Sequence, residues 1–431
     1  MDSNGARAAL ALAILLVFAP FGRASAEGAT SRPDSTELAR RIDALARALE
    51  DLKLGPIAAP PESRHGFGPA ASKIYSATTG VSLGGYGEML AQSPKGGAAS
   101  IDLLRQILYV GYKFDDRILF NSEIEFEHAS SELKGSVSVE FAYLDALIRT
   151  EFNVRAGLVL VPMGFLNELH EPPIFLGTHR PETEQRIVPS TWRANGVGIF
   201  GAPAGGWTYR AYVMESLRSA GGTGENAGFD PEAGLRDGRQ NGSEALFENV
   251  AATVRVDWQG AGVLVGGSTF RGGTAQGAVT PATNQPFDAT TTVWEAHAQV
   301  RRAGLRLRGL VAGADVQDAA AINAVRGFTG TESVGSNLLG WYAEAGYEVW
   351  SRLHPGSRYE IVPYLRYEAL DTQHDVPAGF APDRANDATI TTAGAAFFPH
   401  PQVVVKGDYQ WNSNAANTGV EQWNFAVGFL F

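Results

Sequence analysis

Residues 162–193 crowd together the side chains best suited to act on a passing solute: Glu168, His170, Glu171, Arg180, Glu182, Glu184, Arg186 and Arg193. Five prolines (Pro162, Pro172, Pro173, Pro181, Pro189) stiffen the backbone that carries them. Charges of both signs, held rigidly, orient and sort polar solutes and ions. Catalysis and metal binding ask for tighter spacing. His170-Glu171 is not followed by a second histidine at the interval a zinc helix uses, and His179 lies too far along, amid prolines. No metal site and no cofactor is therefore expected. Of the eight histidines, His128 beside Ser130 and Ser131 comes nearest to a nucleophile pair, and it reads more simply as a rim residue. The chain is expected not to be an enzyme.

A charged loop of this kind needs a frame, and the last residues show which one. Trp423, Phe425, Val427, Phe429 and Phe431 share one parity, while Gln422, Asn424, Ala426 and Gly428 share the other. Period-two alternation places the two sets on opposite faces of a strand. Its length suits a bilayer-crossing strand of about 9–11 residues. With that terminal strand counted, strands are expected to begin near Val81, Leu103, Arg117, Val137, Val154, Gly196, Thr208, Phe247, Gly262, Thr291, Leu305, Leu339, Arg358, Thr389, Val403 and Gln422. Their connections alternate between tight turns, as at 114–117 and 259–261, and long polar segments at 162–193, 217–245, 271–290, 315–338 and 371–388. Short turns at one mouth and long loops at the other are the pattern of an outer-membrane barrel.

Parity also assigns faces. Trp341, Ala343, Ala345 and Tyr347 point to lipid, as do Ile361, Pro363, Leu365 and Tyr367. The charged parity must face inward, because an arginine or lysine on the lipid side costs about 2–4 kcal/mol at mid-depth. Glu123, Glu125 and Glu344 then share a lumen wall with Arg306, Arg308 and Arg366. Two readings of these charges stand: a transverse field that filters ions, or wall residues paired with one another and with water. The expected fold is all-β, a transmembrane antiparallel up-and-down β-barrel of about 16 strands over residues 78–431. A barrel of that size leaves an aqueous channel.

The rest of the chain fits the same compartment. Residues 1–26 read as a secretory signal peptide, with an apolar core at 8–20 and small residues Ala24-Ser25-Ala26 at the cut. Residues 27–54 carry Leu38, Ile42, Leu45, Leu49 and Leu52 in a heptad stripe, a short coiled-coil helix. Residues 55–77, with Pro56, Pro60, Pro61 and Pro69, read as a Pro/Gly linker. The chain has no cysteine, so an exported fold must rest on packing or on a closed ladder. Its net charge of −11 argues against nucleic acid.

Gly157-Leu158, Pro162-Met163-Gly164, Glu171-Pro172-Pro173, Arg180-Pro181-Glu182 and the run from Ile187 through Trp192-Arg193 to Gly198 resemble the phosphate-selective porin O and P type of outer-membrane channel. The resemblance implies a sixteen-stranded trimeric porin in the cell outer membrane, whose third external loop, here 162–193, folds inward as the constriction. The named loop residues would stand near that eyelet. One departure limits it: those channels use an arginine ladder with a lysine cluster, and this chain has only six lysines. Phosphate selectivity is therefore not carried over. The expected function is passive diffusion of small hydrophilic solutes or ions, anions among them. The competing readings are a barrel lipid hydrolase and an envelope tether. Expected partners are outer-membrane lipid, two further copies of the chain and the solutes themselves.

Overall fold

The computed structural model describes residues 62–222 and 226–431, together with Arg40 and Asp43, both of which are helical. The expected signal peptide, the rest of the heptad helix and the first part of the linker lie outside the described residues.

Sixteen strands form one closed sheet in chain order, every neighbour antiparallel. They are β1 Gly80–Pro94, β2 Ser100–Lys113, β3 Ile118–Glu127, β4 Ser136–Arg149, β5 Phe152–Leu160, β6 Arg193–Gly201, β7 Trp207–Glu215 and β8 Val250–Gly260, then β9 Val263–Gly272, β10 Thr291–Arg302, β11 Leu305–Val316, β12 Asn337–Tyr347, β13 Glu360–Asp375, β14 Asp387–His400, β15 Val403–Asn414 and β16 Gln422–Leu430. The strand count and order are those read from the sequence. Closure comes where β16 pairs with β1, from Tyr86 opposite Leu430 to Pro94 opposite Gln422. Phe431 extends the seam by exchanging backbone hydrogen bonds with Gly85 at 2.9 and 3.0 Å.

Most connections at one mouth are tight: 114–117, 150–151, 202–206, 261–262, 303–304 and 401–402. The connection at 348–359 is the long one there, and it holds a helical turn, Trp350–Leu353. The other mouth carries 161–192, 216–249, 273–290, 317–336 and 376–386. Along β12, Trp341, Ala343, Ala345 and Tyr347 are exposed while Tyr342, Glu344 and Gly346 are buried. The same alternation runs through β13, β15 and β16. Exposed aromatics gather toward both ends: Trp294, Trp411 and Trp423 toward the long loops, and Tyr112, Phe114, Trp207, Tyr347 and Tyr359 toward the short turns. Aromatic girdles of this kind mark the two interfaces of a membrane barrel.

The linker expected over 55–77 differs in its described part. From residue 64 the chain is a packed strap, with Phe67, Ala70, Ile74 and Tyr75 all buried and a 3₁₀ turn at Ala71–Ser76. Phe67 lies on Phe141 and Tyr143, and Tyr75 Oη donates to Asp145 at 2.7 Å. Asn121 Nδ2 donates to the Ala71 carbonyl at 3.1 Å. These partners belong to the inner faces of β3 and β4, so the strap lies inside the barrel. Proline content signalled a spacer, but the apolar residues on either side of Pro69 found an aromatic wall to cover.

Leu365 is exposed in the middle of β13 and Arg366 beside it is buried. Leu365→Arg in the folded barrel is expected to cost about 2–4 kcal/mol in lipid vesicles, read from urea unfolding. An unchanged unfolding midpoint would mean that this face does not meet hydrocarbon.

Candidate functional site

The loop between β5 and β6 starts from a staple. Asn167, fully buried, donates from Nδ2 to the carbonyls of Val161 at 2.6 Å and Trp192 at 2.8 Å, and its Oδ1 accepts the Trp192 N–H at 2.5 Å. One amide thus joins both ends of the loop. Gly164 sets the first bend at φ +67°, where a Cβ would fall 2.4 Å from Glu184. Its carbonyl accepts from Arg255 of β8.

From there the loop is fastened across the lumen. Glu168 pairs with Arg210 of β7 at 3.0 Å. Glu171 accepts the N–H groups of Ala70 and Ala71 at 3.0 and 3.1 Å, tying loop to strap. Thr178 donates its N–H to Asp408 of β15 at 2.8 Å, and the Gly177 carbonyl accepts from Lys406 at 2.8 Å. The Lys406 ammonium also stands 3.6 Å above the Phe175 ring. Arg366 of β13 donates to the His179 carbonyl at 3.1 Å. Glu184 accepts from Tyr342 of β12 at 2.6 Å and from the Leu166 N–H at 2.8 Å. Pro172 reaches β16, where a Cβ on Gly428 would lie 2.4 Å from it. Burial pushes the Glu171 carboxyl up to about 7, against the two N–H donors that hold it down. Burial also pulls the His170 imidazole down to about 4 and lowers that of His179.

The eight loop residues singled out from the sequence therefore divide. Glu168, Glu171 and Glu184 are buried fasteners, each spent on a wall or strap partner, and His170 is buried with its Nε2 against Glu123 and Glu140 of the wall. Their neighbours Arg180, Glu182 and Arg186 remain part-exposed: Arg180 donates to Thr191 Oγ1 at 3.2 Å, and Glu182 pairs with Arg186 at 2.7 Å. Arg193 opens β6 rather than ending the loop, and lies 3.6 Å from Glu140 of β4.

On the wall the paired reading describes most charges. Glu125 meets Arg105 at 3.5 Å, Glu344 meets Arg366 at 3.8 Å, and Arg306 bonds Glu360. Arg308 takes Gln299 at 2.9 Å and covers the Phe165 ring at 4.8 Å. Several partners escaped the sequence reading. Asp145 holds Arg155 at 2.8 Å, and Asp257 gathers Arg210, Arg255 and His297 at 2.6, 2.8 and 2.9 Å. Strand parity marks Asp145 and Asp257 as inward, but nothing in one strand names the cross-strand partner.

Strap and loop fill much of the lumen, and a cavity of about 620 Å³ remains at the short-turn mouth. Arg301, Arg302, Arg306, Arg352 and Arg358 line it, against only Glu348 and Glu360. This basic vestibule was not read from the sequence. Its arginines sit on three separate segments, and the chain's overall acidity hides them.

His128 pairs with Asp102 at 2.5 Å at the rim, and Ser130 Oγ accepts the Glu132 N–H instead of meeting it. Gly80-Val81-Ser82-Leu83-Gly84 has nucleophile-elbow spacing, but it lies within β1 and not on a strand-to-helix turn.

Closed sixteen-strand barrel, aromatic girdles and an inward-fastened loop together define the porin fold. OmpF of Salmonella typhi, solved with daunomycin, superposes with a TM-score of 0.54 at 11% identity over 83% of this chain and 99% of that one. The outer membrane channel DcaP of Acinetobacter baumannii gives 0.51 at 10% identity over 81% and 97%. At these identities the likeness is one of fold. No protein-family model matches the chain. It belongs to the same family as an uncharacterized protein of Aquifex aeolicus (strain VF5), with which it is 37% identical over 357 residues, 80% of this chain and 78% of that protein.

Asn167→Ala leaves the buried Trp192 N–H without its partner and takes one of two donors from each of the Val161 and Trp192 carbonyls, and it is expected to destabilise the barrel by about 1–3 kcal/mol. It should also open the loop to limited proteolysis at sites within 162–192. Wild-type resistance in a folded Asn167→Ala protein would show that the staple does not hold the loop.

Proposed function

We propose that this protein is an outer-membrane porin, a passive channel for small hydrophilic solutes and ions that favours anions. The observation that carries the reading is the arrangement inside the barrel. A stiff loop, fastened to strands on opposite sides, narrows the lumen, and the space left at the short-turn mouth is lined by five arginines against two glutamates. Anions entering a confined, low-dielectric mouth of that sign are concentrated and cations repelled. The resemblance to phosphate-selective porins supports a channel, while the scarcity of lysine speaks for selectivity by charge without a dedicated phosphate site. The reading is that of a channel and not a catalyst: the serine and histidine pairings described at the rim and in β1 do not make a nucleophile with its base. The heptad stripe of Leu38, Ile42, Leu45, Leu49 and Leu52 supports assembly as a homotrimer.

Full-length protein in a planar bilayer is expected to give stepwise conductance, with a reversal potential in a potassium chloride gradient that favours chloride. Replacing Arg302, Arg352 and Arg358 by glutamate should move that potential toward cations and lower the chloride preference at least about twofold. Loss of conductance steps in folded wild-type protein would remove the channel reading. An unmoved reversal potential in the triple variant would remove the role of the vestibule.

A further inference from the structure

We propose that Glu123, Glu140 and His170 form a binding site for one divalent transition-metal ion, of the zinc class, that locks the lumenal loop to the barrel wall. The three side chains come from β3, β4 and the loop, and all are buried, at 0%, 1% and 2% exposure. Their candidate ligand atoms lie within 4.8 Å of one another. His170 Nε2 is 3.2 Å from Glu123 Oε1 and 3.4 Å from Glu140 Oε2. Four ligands held tetrahedrally at about 2.0–2.1 Å from zinc stand about 3.3 Å apart, so these separations match two edges of such a site.

The hydrogen bonding points the same way. His170 Nδ1 lies 3.1 Å from the Asn167 carbonyl, which can only accept, so Nδ1 carries the proton. In the neutral ring Nε2 is then a bare lone pair, and it faces two carboxylates. A backbone carbonyl fixing one nitrogen while the other meets a cation is the usual second-shell arrangement of a metal-bound histidine. Among the described residues Glu123 Oε2 and Glu140 Oε2 are both buried without a hydrogen-bond partner, as is Tyr86 Oη, whose ring centroid lies 6.0 Å from that of His170. Around the pocket Glu88 and Glu125 pair with Arg105 at 3.4 and 3.5 Å and Glu140 pairs with Arg193 at 3.6 Å, while Glu123 meets His170 alone among the described residues. The carboxylates still outnumber the guanidiniums in contact, and a divalent ion would supply the missing positive charge.

Backbone geometry brings Glu140 there. In the β3–β4 ladder Glu123 pairs with Phe141 and Ile124 with Val139, so Glu140 is the extra residue of a β-bulge. Both Glu140 and Phe141 consequently turn inward. Bulges commonly re-aim a side chain in this way. Imidazole together with carboxylate suits zinc, manganese or iron better than calcium or magnesium, which prefer all-oxygen sites.

The test uses the full mature chain without added histidines, refolded into detergent with zinc or with a chelator, and checked for the heat-modifiable gel shift of a folded barrel. Wild type is expected to retain one zinc per chain after dialysis and to melt higher with zinc than without. His170→Ala and Glu140→Gln should weaken retention at least about 100-fold, while Glu182→Gln keeps it. Should the ligand variants fail to fold, cobalt bound to the wild type decides: the strong visible absorption of four-coordinate cobalt supports the site, and its absence overturns it. Folded wild type that retains no metal, or folded His170→Ala that retains as much, also overturns it. Conductance is not a readout here, so the metal site and the channel reading stand or fall separately.

Discussion

The structure depends on the closing of its backbone ladder. In hydrocarbon an unpaired N–H or C=O has no water to turn to, and each costs several kcal/mol. Pairing of β16 with β1, carried to the carboxyl end by Phe431 and Gly85, removes the last free edge. Once the sheet closes, its inner face is cut off from lipid, and polar residues there must be satisfied by one another, by water or by chain folded inside. The strap and the lumenal loop meet that demand. Their backbone groups take Glu171, Asp408, Lys406 and Arg366 as partners, and their apolar residues cover Phe141, Tyr143 and Tyr212.

The lumen is consequently uneven. On the side of β1 to β7 it is packed with aromatic rings around Arg155, whose guanidinium lies 4.1–4.6 Å from the rings of Tyr143, Phe67 and Phe200. On the side of β10 to β15 it opens into the arginine-lined cavity. Deeper in, the loop closes against that wall, where Arg308 and Arg366 donate to its Ile174 and His179 carbonyls at 3.3 and 3.1 Å. Function on this account comes from where the filling stops.

The strands were legible because lipid enforces a strict period of two: Trp423, Phe425 and Phe429 outward and Asn424 and Gly428 inward follow from parity alone. The loop at 162–193 was legible as stiff and charged, since prolines and ionisable groups announce themselves locally. Its fastening was not, because Glu168 to Arg210 or Glu184 to Tyr342 are contacts across the barrel. Glu140 was missed for a sharper reason: a bulge breaks the parity on which the reading rests. Pro69 made the strap look like a spacer, although Phe67, Ile74 and Tyr75 are the residues that decide its place.

The central claim is that the loop lies inside the barrel and touches the far wall. The chain has no cysteine, which makes a paired-cysteine test clean. Thr178 on the loop and Asp408 on β15 are in direct hydrogen-bond contact at 2.8 and 3.0 Å. With both replaced by cysteine, the folded protein should be joined at high yield by oxidation or a short bis-thiol reagent, seen as a faster band after heat denaturation. Failure to join in a folded barrel, with the thiols reactive to a larger soluble reagent, would put the loop outside the lumen and contradict the account.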